Sequence, residues 1–175
     1  MLNRALVVGT ATAIALVVAA CDSEDTTEVV NTQTSTKIIY KATLTGSAER
    51  PNPTPSAGTG SFTGTFDPAT GIMTFTVTYQ GLGANSTLAH IHGPGTTEVA
   101  VGVILNFASG PTPFTPGAPN GSFGGTVALT TANAITATVN GDSLRKLMDA
   151  GLSYVNVHSQ QFGGGEIRGQ IAKQP

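Results

Sequence analysis

Three histidines are the residues of this sequence best suited to chemistry. His90 and His92 stand two positions apart in "TLAHIHG", and His158 stands much later, in "SYVNVHS". Side chains two positions apart on a β-strand point the same way and lie about 6.5 Å apart. Imidazole is a common ligand of copper and zinc, so such a pair can hold one ion above a sheet. We therefore predict a copper or zinc site at His90, His92 and His158, provided that the fold brings the third histidine alongside.

A structural role for the same histidines is the alternative. His90 or His92 can hydrogen-bond the Gly-Pro-Gly turn of residues 93–95, and His158 can pair with Glu166 across a hairpin. The sequence leaves both interpretations open.

The last two predicted strands place polar side chains beside His158. "SYVNVHS" and "GEIRGQI" are separated by "SQQFGGG", which is typical of a hairpin, so Asn156 or His158 should lie near Glu166 or Arg168. We expect Glu166, Arg168 and Asn156 to support the site, with Glu166 accepting an imidazole N–H and thereby fixing the tautomer. The alternative for Glu166 and Arg168 is an exposed cross-strand ion pair, which contributes less than about 1 kcal/mol.

Alternating apolar and polar residues predict the strands that must position these side chains. "KIIYKATLT", "GSFTGTF" and "IMTFTVTY" each put large apolar residues on one face, and "DPATG" is a turn between the last two. "EVAVGVILNF", "FGGTVALT" and "AITATV" are further strand candidates. "DSLRKLMDAG" is the one convincing helix, with Asp142 or Ser143 as its N-cap and Gly151 at its end.

This pattern predicts an all-β fold with one domain. We expect a β-sandwich or Greek-key barrel of about seven or eight strands with one short helix, spanning residues 37–173. The loop "ASGPTPFTPGAPNGS" is too rich in proline and glycine for regular structure.

Composition and motifs argue against several classes of function. From Lys37 onward seven Lys and Arg face six Asp and Glu, so no basic surface for nucleic acid is predicted. The sequence contains no Gly-x-Ser-x-Gly elbow and no Walker loop. We predict no catalytic residues, and the protein is more readily a binding module than an enzyme.

The first residues resemble a bacterial lipoprotein signal. Residues 1–20 have a positive start at Arg4 and an apolar stretch that ends in small residues before Cys21, the only cysteine. The resemblance implies that cleavage makes Cys21 the N-terminus and that it is acylated with diacylglycerol and a fatty acid such as palmitate. Residues 21–36 then form a polar tether. The predicted location is the cell envelope, on its periplasmic or extracellular face, and the choice of membrane stays open.

The strand motifs together resemble the CHRD domain, a module named from chordin. The resemblance rests on "GLGANSTLAHIHGPG" and "YVNVHSQQFGGGEIRGQI" in this order, and it extends from about Ile39 to Ile171. It implies an immunoglobulin-like sandwich and assigns no settled biochemical activity.

A fainter similarity is to the copper half of Cu/Zn superoxide dismutases. It implies that His90, His92 and His158 match three copper-ligand positions. The sequence lacks a bridging histidine, a zinc cluster and disulfide cysteines, so a complete dismutase is not expected.

Three functions follow as hypotheses. The first is a non-catalytic, membrane-anchored binding or adhesion module, which meets an unidentified protein or envelope partner through the loops "AERPNPTPSAG" and 109–121. The second is a copper- or zinc-binding envelope protein that uses the three histidines. The third is a redox enzyme of the dismutase type.

Overall fold

The computed structural model describes residues 36–109 and 114–175. The predicted signal peptide, Cys21 and most of the predicted tether lie outside the described residues, as do positions 110–113 of the long loop. Within the described ranges, no helix has the length and apolar character needed to cross a membrane.

Within the described part of the chain, nine strands form one curled antiparallel sheet, accompanied by a single short α-helix. The strands are β1 Ile38–Thr45, β2 Thr59–Asp67, β3 Ile72–Gln80, β4 Ser86–His92, β5 Val103–Asn106, β6 Gly121–Ala128, β7 Tyr154–Ser159, β8 Ile167–Gln170 and β9 Ala172–Lys173. The helix α1 spans Gly141–Asp149, and two 3₁₀ turns span Gly46–Ala48 and Phe107–Ser109. This confirms the all-β class, with nine strands where seven or eight were expected.

The order of strands across the sheet is β5-β4-β7-β8-β1-β2-β3-β6, and β9 pairs with β1. The two edge strands, β5 and β6, both line an apolar cavity of about 500 Å³. The sheet therefore curls into a sandwich or half-barrel around its core.

The core is built from the alternation that the sequence predicts. Tyr40 and Leu44 of β1, Phe62 of β2, and Met73 and Val77 of β3 are fully buried, while the threonines between them in β3 are exposed. One face of these strands is therefore apolar and the other faces solvent.

β7 is covered on both faces, and its neighbour β4 is covered on both faces from Ala89 to His92. Ala89 and Ile91 of β4 and Val155 and Val157 of β7 are 0% exposed and belong to the core. All six residues of β7 are buried. The face of β7 that turns away from the core is therefore covered by other parts of the chain, and this covered face carries His158.

The helix begins two or three residues earlier than predicted. Asn140, rather than Asp142 or Ser143, is the N-cap, because its Oδ1 accepts the Ser143 backbone N–H at 2.8 Å. Gly151 ends this segment with φ of +66°, as expected.

Two predicted strands are wrong in whole or in part. The "AITATV" segment forms only an isolated bridge at Ala134–Asn140, because Thr136 Oγ1 accepts backbone N–H groups of residues 138 and 139. The strand predicted from Glu98 begins only at Val103. The backbone oxygen of Val101 bonds to the His92 ring, and its N–H bonds to the Tyr154 hydroxyl. Neither backbone group of Val101 is therefore available to a neighbouring strand.

Candidate metal centre

The structure brings the three predicted histidines together. β4 and β7 pair so that His90 lies opposite Asn156 and His92 opposite Tyr154. His90 Nδ1 is 3.0 Å from His158 Nε2. One nitrogen from each of the three imidazoles lies within 4.8 Å of the others. The set therefore converges on one point.

Backbone carbonyls fix the tautomers of two of these rings. His92 Nδ1 is 2.8 Å from the Val101 oxygen, and His158 Nδ1 is 3.0 Å from the Gly163 oxygen. Since a carbonyl only accepts hydrogen bonds, both Nδ1 atoms carry the proton. Both Nε2 atoms then present lone pairs to the centre, the arrangement that orients a metal-binding imidazole.

An amide oxygen joins these lone pairs. Asn156 Oδ1 is 3.1 Å from His92 Nε2 and 3.2 Å from His158 Nε2. Since neutral His92 and His158 each carry their proton on Nδ1, and an amide oxygen only accepts hydrogen bonds, neither of these two contacts contains a hydrogen. A cation at the centre would satisfy all of these electron pairs at once.

Burial keeps the imidazoles in the form that binds metal. His90, His92 and His158 are 6%, 8% and 7% exposed. Burial lowers the pKa of all three, and the pKa of His90 falls to about 4 with a further contribution from the neighbouring His158. Since metal binding requires neutral imidazole, these rings are available as ligands at neutral pH.

Tyr154 and Arg168 brace the His92 side of the site. The Tyr154 ring stacks on His92 with centroids 4.8 Å apart and planes inclined by 3°. Arg168 lies over the Tyr154 ring, with Cζ 3.4 Å from its centroid, and donates from Nη2 to the Thr96 oxygen at 2.7 Å. Arg168 thus links the stack to the loop that carries Val101. The sequence did not predict this contact.

Arg168 and Glu166 are both buried, which excludes the exposed ion pair. Glu166 is 0% exposed and Arg168 is 1% exposed. Glu166 Oε1 accepts hydrogen bonds from Ser56 Oγ at 2.5 Å and from the Gly83 N–H at 2.7 Å. Its role therefore differs from the predicted one, because carbonyl oxygens take the imidazole N–H groups and Glu166 holds two loops in place.

The proline-rich loop, residues 49–58, covers this side of the sheet. Thr54 Oγ1 donates to the backbone oxygen of Glu166 at 2.7 Å, and Ser56 Oγ donates to the carboxylate of the same residue. Much of this loop is thereby attached to the hairpin that carries His158, although the sequence suggested a free contact surface.

Glu49 is a buried acid that sequence reasoning missed. It ends the first 3₁₀ turn, with its N–H bonded to the Gly46 oxygen, and it is 3% exposed. Burial raises the pKa of Glu49 to about 7, while Arg168 and the Asn156 amide act in the opposite direction. The one available signal was an isolated acid inside a Pro-rich loop.

Comparison with protein families identifies the family to which this domain belongs. The CHRD domain model matches residues 40–171. The chain belongs to the CHRD domain family. This confirms the resemblance read from the strand motifs, and membership supports a non-catalytic binding module at most. No curated protein and no solved structure gives a match. The likeness of this CHRD domain to the copper half of superoxide dismutases stays a prediction.

Proposed function

We propose that this CHRD domain is a binding module of the cell envelope that holds one copper or zinc ion between His90, His92 and His158. The observation that carries the proposal is the convergence of three neutral imidazole nitrogens within 4.8 Å, two of them oriented by carbonyls on the opposite ring nitrogen. Histidines with only a structural role would not require this arrangement, because it turns the lone pairs of the imidazole nitrogens toward one another.

The donor set selects the class of metal. Three imidazoles suit Cu(II) and Zn(II), whereas calcium and magnesium prefer oxygen ligands. Nitrogen ligands of tetrahedral zinc lie about 3.3 Å apart, given bonds of about 2.0 Å. The His90–His158 separation of 3.0 Å is close to this value. Side-chain movements on the order of 1 Å would bring the remaining nitrogen–nitrogen distances to this value.

Metal content tests this proposal. The untagged chain is purified, equilibrated with a slight excess of zinc or copper, and passed over a desalting column before elemental analysis. We expect one ion per chain, and we expect His90→Ala to lose it. Leu88→Ala is the matched control, because Leu88 lies on the same strand and is 42% exposed. Equal metal retention in His90→Ala and in the unsubstituted chain would exclude the site.

The envelope location is the second part of the proposal and is supported by residues 1–21 alone. Acyl chains on Cys21 would attach the domain to a membrane, since two or more chains give durable anchoring. We expect the chain to fractionate with membranes and Cys21→Ser to fractionate with soluble proteins. Membrane association that survives Cys21→Ser would contradict lipid anchoring.

Adhesion through loops and dismutase-type activity stay predictions. The proline-rich loop is attached to Glu166, and the loop 109–121 lies partly outside the described residues. Truncation of either loop with no change in binding to envelope fractions would argue against adhesion. A metal-loaded domain no faster than free metal would exclude the redox activity.

A further inference from the structure

We propose that Glu49 is a positioning residue for the metal site: its carboxylate holds the Asn156 amide with the oxygen toward the imidazoles and thereby sets metal affinity. This inference rests on the proposed function. It concerns how a residue outside the histidine set controls whether that set is open to a metal.

Asn156 presents its two ends to different surroundings. Its Oδ1 lies 3.1 and 3.2 Å from the Nε2 atoms of His92 and His158. Its amide nitrogen lies on the other side, toward Glu49. As a hydrogen-bond donor, this nitrogen favours the ionised form of the Glu49 carboxylate. Asn156 therefore connects the imidazole cluster to a buried acid.

Rotation of this amide by 180° would change the site. The amide N–H groups would then face the Nε2 lone pairs of His92 and His158 and could donate to them. The cluster would be satisfied without a metal, and a hydrogen would occupy the space the metal needs. The orientation of Asn156 thus decides between a cluster open to metal and one bonded to itself.

An ionised carboxylate favours only the open orientation. Glu49 accepts hydrogen bonds and donates none, so it prefers the nitrogen end of Asn156. Its Oε1 is buried without a hydrogen-bond partner among the described residues, which leaves acceptor capacity next to the amide. The charged groups that face Glu49 are Arg168 and Arg50, and both favour its ionised form.

The backbone leaves room for this approach at Gly165. A Cβ at this position would lie 2.6 Å from Glu49 Oε1 and 2.8 Å from Asn156 Nδ2, and the residue has φ of +127°. Both atoms therefore border the same space, which a side chain at position 165 would fill, and the backbone conformation there itself favours glycine.

Substitution of Glu49 by an amide and by a shorter acid tests the inference. A glutamine in its place could present either its oxygen or its nitrogen, so Glu49→Gln should no longer select one orientation of Asn156. Glu49→Asp keeps an acceptor-only group. With the untagged full chain at pH 8, we expect Glu49→Gln to raise the dissociation constant for zinc at least about tenfold, and Glu49→Asp to stay within about threefold. A packing role predicts the reverse order, because Gln matches Glu in shape.

The orientation is read directly from the metal-free chain by ¹⁵N NMR of His92. In Glu49→Gln, His92 Nε2 should move to the position of a nitrogen that accepts a hydrogen bond, and in the unsubstituted chain it should not. An unchanged His92 resonance in Glu49→Gln overturns the inference, even if zinc affinity falls, because Glu49 would then act by charge alone. Unchanged zinc affinity in Glu49→Gln overturns it as well. If the unsubstituted chain binds no zinc, the proposed function fails, and the NMR result alone decides the role of Glu49.

Discussion

Acid should destabilise the metal-free domain through His90, and the size of this effect follows from its burial. His90 is 6% exposed, and burial together with the adjacent His158 and His92 lowers its pKa from 6.5 to about 4. The unfolded chain therefore binds a proton before the folded chain does. The stability that neutral His90 contributes is fully present above about pH 6.5 and is lost as the pH falls toward 4. At 1.36 kcal/mol per pH unit, this loss is about 3 kcal/mol.

Glu49 has the opposite effect over a similar range, so a variant must isolate His90. Its pKa of about 7 lies above the ordinary value of 4.5, which means that its ionisation destabilises the fold and that acid relieves this. The comparison is between the unsubstituted chain and His90→Asn, because the Glu49 contribution cancels in the difference. Asn can place an amide nitrogen near the position of Nδ1.

The assay is urea unfolding in the presence of a chelator at pH 7, 6, 5 and 4. The difference in the free energy of unfolding between the two proteins should change by about 3 kcal/mol from pH 7 to pH 4, to the disadvantage of the unsubstituted chain. A difference that stays constant within about 0.5 kcal/mol across this range would refute the assignment of His90 as a buried neutral imidazole.

Three further predictions concern the supports of the site and its ligand. Gly165→Ala should lower the free energy of unfolding by about 2 kcal/mol, because φ at this position is +127° and the new Cβ would meet Glu49. Urea unfolding measures this change, and an unchanged free energy of unfolding would contradict the described backbone. Ser56→Ala should lower the free energy of unfolding by about 2 kcal/mol, because it removes a hydrogen bond to buried Glu166. The control Ser61→Ala removes an exposed hydroxyl and should lower it by less than about 0.5 kcal/mol. Equal losses in the two variants would argue against the Glu166 contact. Zinc at a hundred times its dissociation constant should stabilise the chain by about 2.7 kcal/mol in a thermal scan, and calcium should not.

The strands were predictable because one face of each packs on the core. Ala89, Ile91, Val155 and Val157 alternate with polar residues, and their burial turns all three histidines to the opposite face. The period of two determines this without any knowledge of the partner strands. The joint position of the histidines then depends on the pairing of β4 with β7.

The environment of the histidines was not predictable from this period. The sequence suggested polar faces open to solvent, but loops cover the imidazoles. The carbonyls of Val101 and Gly163 that fix the tautomers belong to residues whose side chains carry no signal for that role. The Glu49–Asn156 contact joins positions far apart in sequence, and local patterns do not specify such a pair.

X-ray absorption at the zinc edge tests the central claim most directly, because it counts the atoms bound to the metal. For the zinc-loaded, untagged chain we predict three imidazole nitrogens at about 2.0 Å, with single and multiple scattering typical of histidine rings. A first shell made only of oxygen atoms, or a spectrum that His90→Ala leaves unchanged, would contradict a metal centre at these three histidines.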